Sequence, residues 1–182
     1  SIRALRTRQV ALSDYAVRSH QPPPPSLPAD DQLFEVSSGI RQTIEDAVLS
    51  GLSIIVSGAT ATGKTTFLNT IIRLIPQHER VISVEDAQEI DIPHPNRVRL
   101  KVDRNAQSNR IGYNEILDAI VRLTPDKCIC GEVSVTNAAA VFNLMGKGHP
   151  VYTTAHADTP EAALQAIVNN MAAAGSTLDA AR

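Results

Sequence analysis

The fold of this chain is constrained most strongly by the stretch LSIIVSGATATGKTTF. It contains in succession an apolar run, a turn with glycines and the start of a helix. The residues that fit the pattern G-x-x-x-x-G-K-[ST] are Gly58, Gly63, Lys64 and Thr65. Such a loop binds phosphate when it connects a buried strand to a helix, because its backbone N–H groups and the helix N-terminus then face the anion. The flanking residues predict this setting. A glycine-capped turn with an exposed lysine is the alternative.

The predicted phosphate-binding loop contains nine consecutive residues, which are Gly58, Ala59, Thr60, Ala61, Thr62, Gly63, Lys64, Thr65 and Thr66. Lys64 is expected to reach the β- and γ-phosphates of a nucleotide, and the Thr65 hydroxyl to bind Mg²⁺. The two alanines narrow the backbone angles of the loop without forbidding it. We therefore expect ATP and Mg²⁺ as cofactors.

Apolar strands alternate with helices along most of the chain, and this alternation predicts an α/β domain with a mostly parallel sheet flanked by helices. The strands are predicted within LSIIVSG, RVISVED, NRVRLKV, KCICGEV and PVYTTAH. Helices are predicted over residues 33–50, 64–75, 112–123 and 136–144, and from 159 onward. Thr159 is expected to cap the last helix, with Pro160 in its first turn.

The proline-rich stretch QPPPPSLP separates a short basic segment from the rest of the chain, because consecutive prolines cannot continue a helix or a central strand. We predict that residues 1–31 form a linker that joined an N-terminal domain missing here. Residues 32–182 are predicted to form the α/β domain, truncated at its C-terminus.

Composition limits the classes of partner. The net charge is −2, aromatic residues make up 3% of the chain and Trp is absent, so direct nucleic-acid binding is not expected. No apolar run approaches the roughly 20 residues of a membrane span. The chain shows no secretory signal, and a cytoplasmic location is therefore expected.

Cys128 and Cys130 are too few for a structural zinc site and are expected to be buried packing thiols.

Two acidic residues follow predicted strands, Glu85 in RVISVED and Glu132 in KCICGEV. Open parallel sheets bind ligands at the carboxyl ends of their strands, so both carboxylates are expected near the phosphates. One would hold Mg²⁺ through water, and the other would orient or deprotonate the attacking water. A solvated position at the sheet edge is the alternative for each.

Basic side chains mark two further strands. His156 ends PVYTTAH and is expected to contact the γ-phosphate, with a structural hydrogen bond as the alternative. Arg97 and Arg99 alternate on one face of NRVRLKV. They are interpreted either as a solvated edge or as arginines presented to a nucleotide in the next subunit.

The loop is followed in order by SVEDAQEIDIPHPNRVRL, LTPDKCICGEV and GHPVYTTAHADTPEAAL. This order resembles the hexameric ATPases of type II and type IV secretion, and is closest to the branch that serves type IV secretion and conjugation. Members have a Walker A loop, an acidic box, a Walker B glutamate and a histidine box. The resemblance implies a RecA-like P-loop NTPase core in a homohexameric ring. It also implies a place at the cytoplasmic face of the inner membrane, with secretion-system components there as partners.

Carried over by position, the resemblance implies Glu85 as the catalytic acidic-box residue, Glu132 as the Walker B acid on Mg²⁺ and His156 as the histidine-box residue. Intersubunit arginines are implied among Arg97, Arg99, Arg104 and Arg110. Ser134 stands where the family commonly has an arginine, and this departure bears on the catalytic rate more than on nucleotide binding.

Three functions are compatible with these features. The first is Mg²⁺-dependent ATP hydrolysis in a homo-oligomeric secretion motor. The second is a nucleotide-binding assembly or regulatory module with little hydrolysis, which Ser134 favours. The third is a RecA-like nucleic-acid translocase, against which the near-neutral charge and the few aromatic residues argue.

Overall fold

The computed structural model of the protein describes residues 30–102 and 113–173, and their side chains from residue 39 onward except at 114. The helices in these ranges are α1 (Asp30–Leu49), α2 (Lys64–Ile72), α3 (Tyr113–Val121), α4 (Ala138–Gly146) and α5 (Pro160–Ala173). The strands are β1 (Ile54–Gly58), β2 (Val81–Glu85), β3 (Arg97–Lys101), β4 (Lys127–Cys130) and β5 (Val151–His156). The predicted order of strands and helices is confirmed.

The described strands form one parallel sheet in the order β1-β5-β4-β2-β3. The predicted α/β class with a parallel sheet is therefore confirmed. The strands β1, β5 and β4, which end at three of the four predicted ligand-binding segments, are immediate neighbours. Their carboxyl ends consequently lie side by side at one edge of the sheet, where ligands of such sheets bind.

Successive residues of a strand point to opposite sides of the sheet. Both sides of this sheet carry apolar side chains. On one face, α1 and α2 pack over a core that includes Val48, Leu68, Ile72, Val81, Ile129 and Tyr152. On the other, α3, α4 and α5 pack over a core that includes Ile82, Val84, Leu117, Cys128, Val141 and Ile167. This two-sided burial fixes the direction in which each strand-end side chain points.

Several predicted details can be compared with the structure. Thr159 caps α5 as predicted, since its Oγ1 accepts a hydrogen bond from the backbone N–H of Ala162 at 3.1 Å. Cys128 and Cys130 are free and buried as predicted, and burial raises the pKa of the Cys128 thiol to about 12. Among the described helices, none has the length and hydropathy needed to cross a membrane.

Element boundaries differ from the predicted ones by a few residues. Helix α2 ends at Ile72 rather than Ile75, where the chain turns through a hydrogen bond from Ile75 N–H to the Ile72 carbonyl at 3.2 Å. Helix α1 begins at Asp30, so its first two residues belong to the segment predicted as linker. Residues 1–29 lie outside the described part of the chain, and the predicted division at residue 31 stays a prediction.

The turn between β1 and α2 has an unusual backbone. Gly63 has φ +88°, and Ala61 has φ +61°, a left-handed conformation that is unfavourable for a residue with a Cβ atom. A Cβ atom on Gly58 would lie 2.7 Å from Oγ1 of Thr62, closer than real contacts permit. Conformation therefore favours glycine at 63 and strains alanine at 61, while a Cβ atom at 58 would force the Thr62 hydroxyl to shift.

We expect Ala61→Gly to raise the free energy of unfolding. The left-handed alanine costs about 1–2 kcal/mol, whereas the added glycine costs about 0.4–1 kcal/mol through the unfolded chain, so the net gain is up to about 1 kcal/mol. Ala59→Gly is the matched control, because Ala59 has no positive φ and only the entropic cost applies there. Urea unfolding of the three proteins measures both effects. A loss of stability in Ala61→Gly equal to that in Ala59→Gly would contradict the assigned strain.

Candidate functional site

The pairing of β1 with β5 brings the predicted phosphate-binding loop next to His156. In this register Gly58, the last residue of β1, lies opposite His156, the last residue of β5. The Lys64 ammonium group lies 3.4 Å from Nδ1 of His156 and donates a hydrogen bond to the Ala59 carbonyl at 2.7 Å. The lysine is therefore folded back over its own loop, within reach of the neighbouring strand end.

Glu132 completes a row of three side chains. Its Oε1 lies 3.3 Å from Nε2 of His156, and the two side chains are 41% and 48% exposed, respectively. An ammonium group can only donate, so Nδ1 of a neutral His156 accepts from Lys64 and Nε2–H donates to Glu132. The structure thus brings together Lys64, His156 and Glu132 in one solvent-accessible row at the carboxyl edge of the sheet.

The backbone around Glu132 is held by β5. The Thr154 hydroxyl donates to the Gly131 carbonyl at 2.8 Å, and the Val133 N–H donates to the Thr154 carbonyl at 2.9 Å. Thr154 is 4% exposed and lies two residues before His156. Sequence analysis missed this residue. The available signal was a polar residue two positions before His156, on the same face of a strand predicted to be buried.

Glu85 is placed differently from the other predicted site residues. Its side chain is 2% exposed, and Oε2 accepts hydrogen bonds from the backbone N–H groups of Glu89 and Ile90, both at 2.8 Å. Oε1 accepts from the Ser83 hydroxyl at 3.2 Å and lies 3.7 Å from the Arg99 guanidinium group. Oε2 therefore accepts two hydrogen bonds and Oε1 one, which uses three of the roughly four lone-pair sites of the carboxylate.

The strand order places Glu85 beside β4, where the backbone of Gly131, the residue after this strand, lies next to the Glu85 side chain, but away from the loop that carries Lys64. Strand β2 lies three strand spacings from β1, which corresponds to about 14 Å across the sheet. Both glutamates are predicted to lie near the phosphates, although the resemblance gives them different roles. The structure brings only Glu132 against His156, while Glu85 is bound to the segment that follows its own strand.

That segment, residues 86–96, is fastened to α2 as well. The side-chain amide of Asn69 accepts from Asp91 N–H at 2.9 Å and donates to the Glu89 carbonyl at 3.1 Å. Arg73, one turn further along α2, forms an ion pair with Asp91. Because α2 begins at Lys64, the helix that carries the loop and the segment that holds Glu85 are directly connected.

Of the predicted intersubunit arginines, the two described ones contact their own chain. Arg97 donates to the His94 carbonyl at 2.7 Å, and Arg99 donates to the Ile90 carbonyl at 2.8 Å. Both lie on the exposed face of β3, at the edge of the described sheet. Arg104 and Arg110 lie outside the described residues.

The threonines of the loop occupy separate positions. Thr62 donates to the Ala59 carbonyl at 2.8 Å, which closes the turn. Thr65, the second residue of α2, is half-buried, whereas Thr60 and Thr66 are exposed. In the described part of the chain, no three His, Cys, Asp or Glu side chains are grouped as metal ligands. The Thr65 hydroxyl and the Glu132 carboxylate are oxygen donors of the kind that Mg²⁺ takes, usually as one or two protein ligands with water and phosphate completing its shell.

Comparison with known proteins supplies the family. The family described as "Type II/IV secretion system protein" matches residues 33–181. The chain is 37% identical to the protein VirB11 of Rhizobium radiobacter over 115 residues, which are 62% of this chain and 34% of that protein. It is 34% identical to the probable conjugal transfer protein TrbB of Sinorhizobium fredii (strain NBRC 101917 / NGR234) over 148 residues, 76% of this chain and 43% of that one.

A solved structure agrees with these relatives. The crystal structure of the VirB11 ATPase from the Brucella suis type IV secretion system, in complex with sulphate, superposes with a TM-score of 0.66 at 25% identity. The match covers 78% of this chain and 42% of that structure, so the chain spans less than half the length of the relatives named here. The fold is accordingly the RecA-like fold of the secretion ATPases. The chain therefore belongs to the type II/IV secretion system protein family, on the type IV secretion and conjugation branch.

Proposed function

We propose that this chain binds ATP with Mg²⁺ and hydrolyses it as a subunit of a homo-oligomeric motor for type IV secretion or conjugal transfer. The observation that carries the proposal is the row formed by Lys64, His156 and Glu132, in which successive charged or polar atoms lie 3.4 and 3.3 Å apart. One basic, one amphoteric and one acidic side chain meet beside a loop of the phosphate-binding pattern. Phosphoryl transfer requires such electrostatic positioning.

Residues 58–66 would bind the triphosphate through their backbone N–H groups and the N-terminus of α2. Lys64 now donates to the Ala59 carbonyl, a neutral acceptor on its own loop. A phosphate oxygen is the stronger acceptor because it is charged. Nucleotide binding is therefore expected to move the lysine from the Ala59 carbonyl to the β- and γ-phosphates.

The cation would be held by the Thr65 hydroxyl and, through water, by Glu132. The half-exposed Glu132 carboxylate has free acceptor capacity beyond its contact with His156 and is the oxygen ligand that Mg²⁺ prefers. When bound, Mg²⁺ neutralises the charge that develops on the phosphates. His156 would then be placed to contact the γ-phosphate, since it lies directly opposite Gly58.

Glu85 is proposed as the residue that orients or deprotonates the attacking water, the role that the family resemblance implies. In this structure its carboxylate is bound to the backbone of residues 89 and 90. The catalytic role consequently requires that these contacts open. Because Asn69 and Arg73 tie the same segment to α2, a movement of α2 with the loop would provide the opening.

The assembly is proposed from the family rather than from a contact in this chain. We propose a ring, most simply a homohexamer, at the cytoplasmic face of the inner membrane with secretion-system components as partners. Arg97 and Arg99 lie on the exposed face of an edge strand, a position from which a neighbouring subunit can be reached. Arg104 and Arg110 are proposed for the same role.

The first test is Mg²⁺-dependent ATP hydrolysis measured at increasing protein concentration. We expect turnover per subunit to rise with concentration, because each site of a ring is completed by its neighbour. Lys64→Ala should lower the rate by about 10²–10³-fold, the usual cost of removing one preorganised charge stabiliser. Lys147→Ala is the matched control, since Lys147 is exposed and precedes the opposite, amino-terminal end of β5.

Two results would contradict the proposed function as an ATP-hydrolysing motor. Turnover that Lys64→Ala leaves unchanged would place hydrolysis elsewhere. ATP that binds in a Lys64-dependent manner but is not hydrolysed at any concentration would indicate the nucleotide-binding module instead.

The second test compares the free energies of unfolding of variants at the two glutamates. Glu85→Gln should lower the free energy of unfolding by about 1–3 kcal/mol, because an amide whose oxygen accepts from Glu89 and Ile90 turns its NH2 group towards the Arg99 guanidinium group. Glu132→Gln should change it by less than about 0.5 kcal/mol, since its side chain is half-exposed. Both variants are expected to lose turnover. Thermal or urea unfolding measures the difference, and equal stability of the two variants would contradict the contacts assigned to Glu85.

A further inference from the structure

The side chain of Asn137 is buried within the backbone that carries Glu132. It is 0% exposed and lies immediately before α4. Its Nδ2 donates to the Glu132 carbonyl at 2.8 Å, and its Oδ1 accepts from the Ser134 N–H at 2.8 Å. One amide therefore satisfies a backbone acceptor and a backbone donor on either side of residue 133.

These contacts hold the Glu132 backbone from a second side. Thr154 on β5 already holds the carbonyl of Gly131 and the N–H of Val133. Asn137 holds the carbonyl of Glu132 itself and belongs to the start of α4 on the other side of the loop. With its peptide groups fixed by both elements, Glu132 has a defined Cα position, and only its side chain is free to adjust.

The position of the backbone matters at Glu132 in particular because its side chain is half-exposed. Its carboxylate is 41% exposed and makes its contact with His156 at 3.3 Å, so the surrounding side chains do not enclose it. The place of such a carboxylate is determined mainly by the backbone from which it extends. A residue that sets this backbone therefore sets the distance between the carboxylate and the cation proposed beside Thr65.

We propose that Asn137 is a positioning residue that holds Glu132 in place for Mg²⁺ and, with it, for the bound nucleotide. The inference rests on the proposed function, because it concerns the same site. Asn137 does not touch the reacting atoms and acts through the Glu132 carbonyl. Its neutral amide is required, since it must donate to one backbone group and accept from another at the same time.

The test is the Mg²⁺ dependence of nucleotide binding in Asn137→Asp. Aspartate keeps the shape and the acceptor but replaces the donor with an oxygen that repels the Glu132 carbonyl. We expect the Mg²⁺ concentration that half-maximally strengthens binding of a fluorescent ATP analogue to rise by about 10–100-fold, as is usual when a partner behind a metal ligand is lost. Binding of the analogue without Mg²⁺ should not change, because the Lys64 side of the site is untouched.

Asn143→Asp is the matched control, since it makes the same chemical change on the exposed side of α4 and should leave the Mg²⁺ dependence at the wild-type value. If Asn137→Asp does not fold, Asn137→Ser replaces it. Serine is a favourable residue before a helix but is too short to bridge Glu132 and Ser134, so the same rise is expected.

The results distinguish this inference from the proposed function. A wild-type protein that binds no nucleotide overturns both. Wild-type binding that is strengthened by Mg²⁺, together with an unchanged Mg²⁺ dependence in the Asn137 variant, overturns the role of Asn137 alone. A variant that loses metal-free and metal-dependent binding equally also overturns it, because that result indicates a general structural role.

Discussion

The parallel pairing of β1 with β5 is the interaction on which the site depends. This register sets Gly58 opposite His156, and the next pairing, of β5 with β4, brings the loop of Glu132 alongside. The side chains of His156 and Glu132, which lie beside the phosphate-binding pattern, follow Lys64 by 92 and 68 residues in sequence. They meet because backbone hydrogen bonds align three strand ends, and because both faces of the sheet are covered by helices that prevent the strands from shifting register.

The acidic residues at the two strand ends are stabilised in different ways, and this difference suggests a division of labour. Glu132 has a fixed backbone and a half-exposed carboxylate, so it is ready to take part in binding. Glu85 has a buried carboxylate that accepts from two backbone N–H groups and the Ser83 hydroxyl and faces an arginine, so its first effect is to hold the segment over residues 86–96. Asn69 extends that connection to α2. A site of this kind can respond to its ligand through the helix that begins at the loop.

Patterns that are local in sequence were predicted well. The turn between β1 and α2 followed from its glycines, the strands from their apolar runs, and the cap of α5 from Thr159. The order of the strands could not be predicted, because it depends on pairings between distant segments, and the separation of Glu85 from Lys64 was therefore missed. Buried polar residues were missed for a similar reason. Asn137 falls inside the helix predicted over residues 136–144 but lies immediately before α4, and Lys127, which is 5% exposed, is stabilised at the amino end of β4 by Glu79 at 2.8 Å.

The central claim is that the loop over residues 58–66 and the row of Lys64, His156 and Glu132 form one site for a nucleoside triphosphate with Mg²⁺. A crystal structure of the protein with Mg²⁺ and a non-hydrolysable ATP analogue tests it most directly. The account predicts that Nζ of Lys64 leaves the Ala59 carbonyl and lies within about 3 Å of a β- or γ-phosphate oxygen. It also predicts the metal between Thr65 and Glu132. Phosphates bound elsewhere, or a Lys64 that still donates to Ala59 with the nucleotide in place, would contradict it.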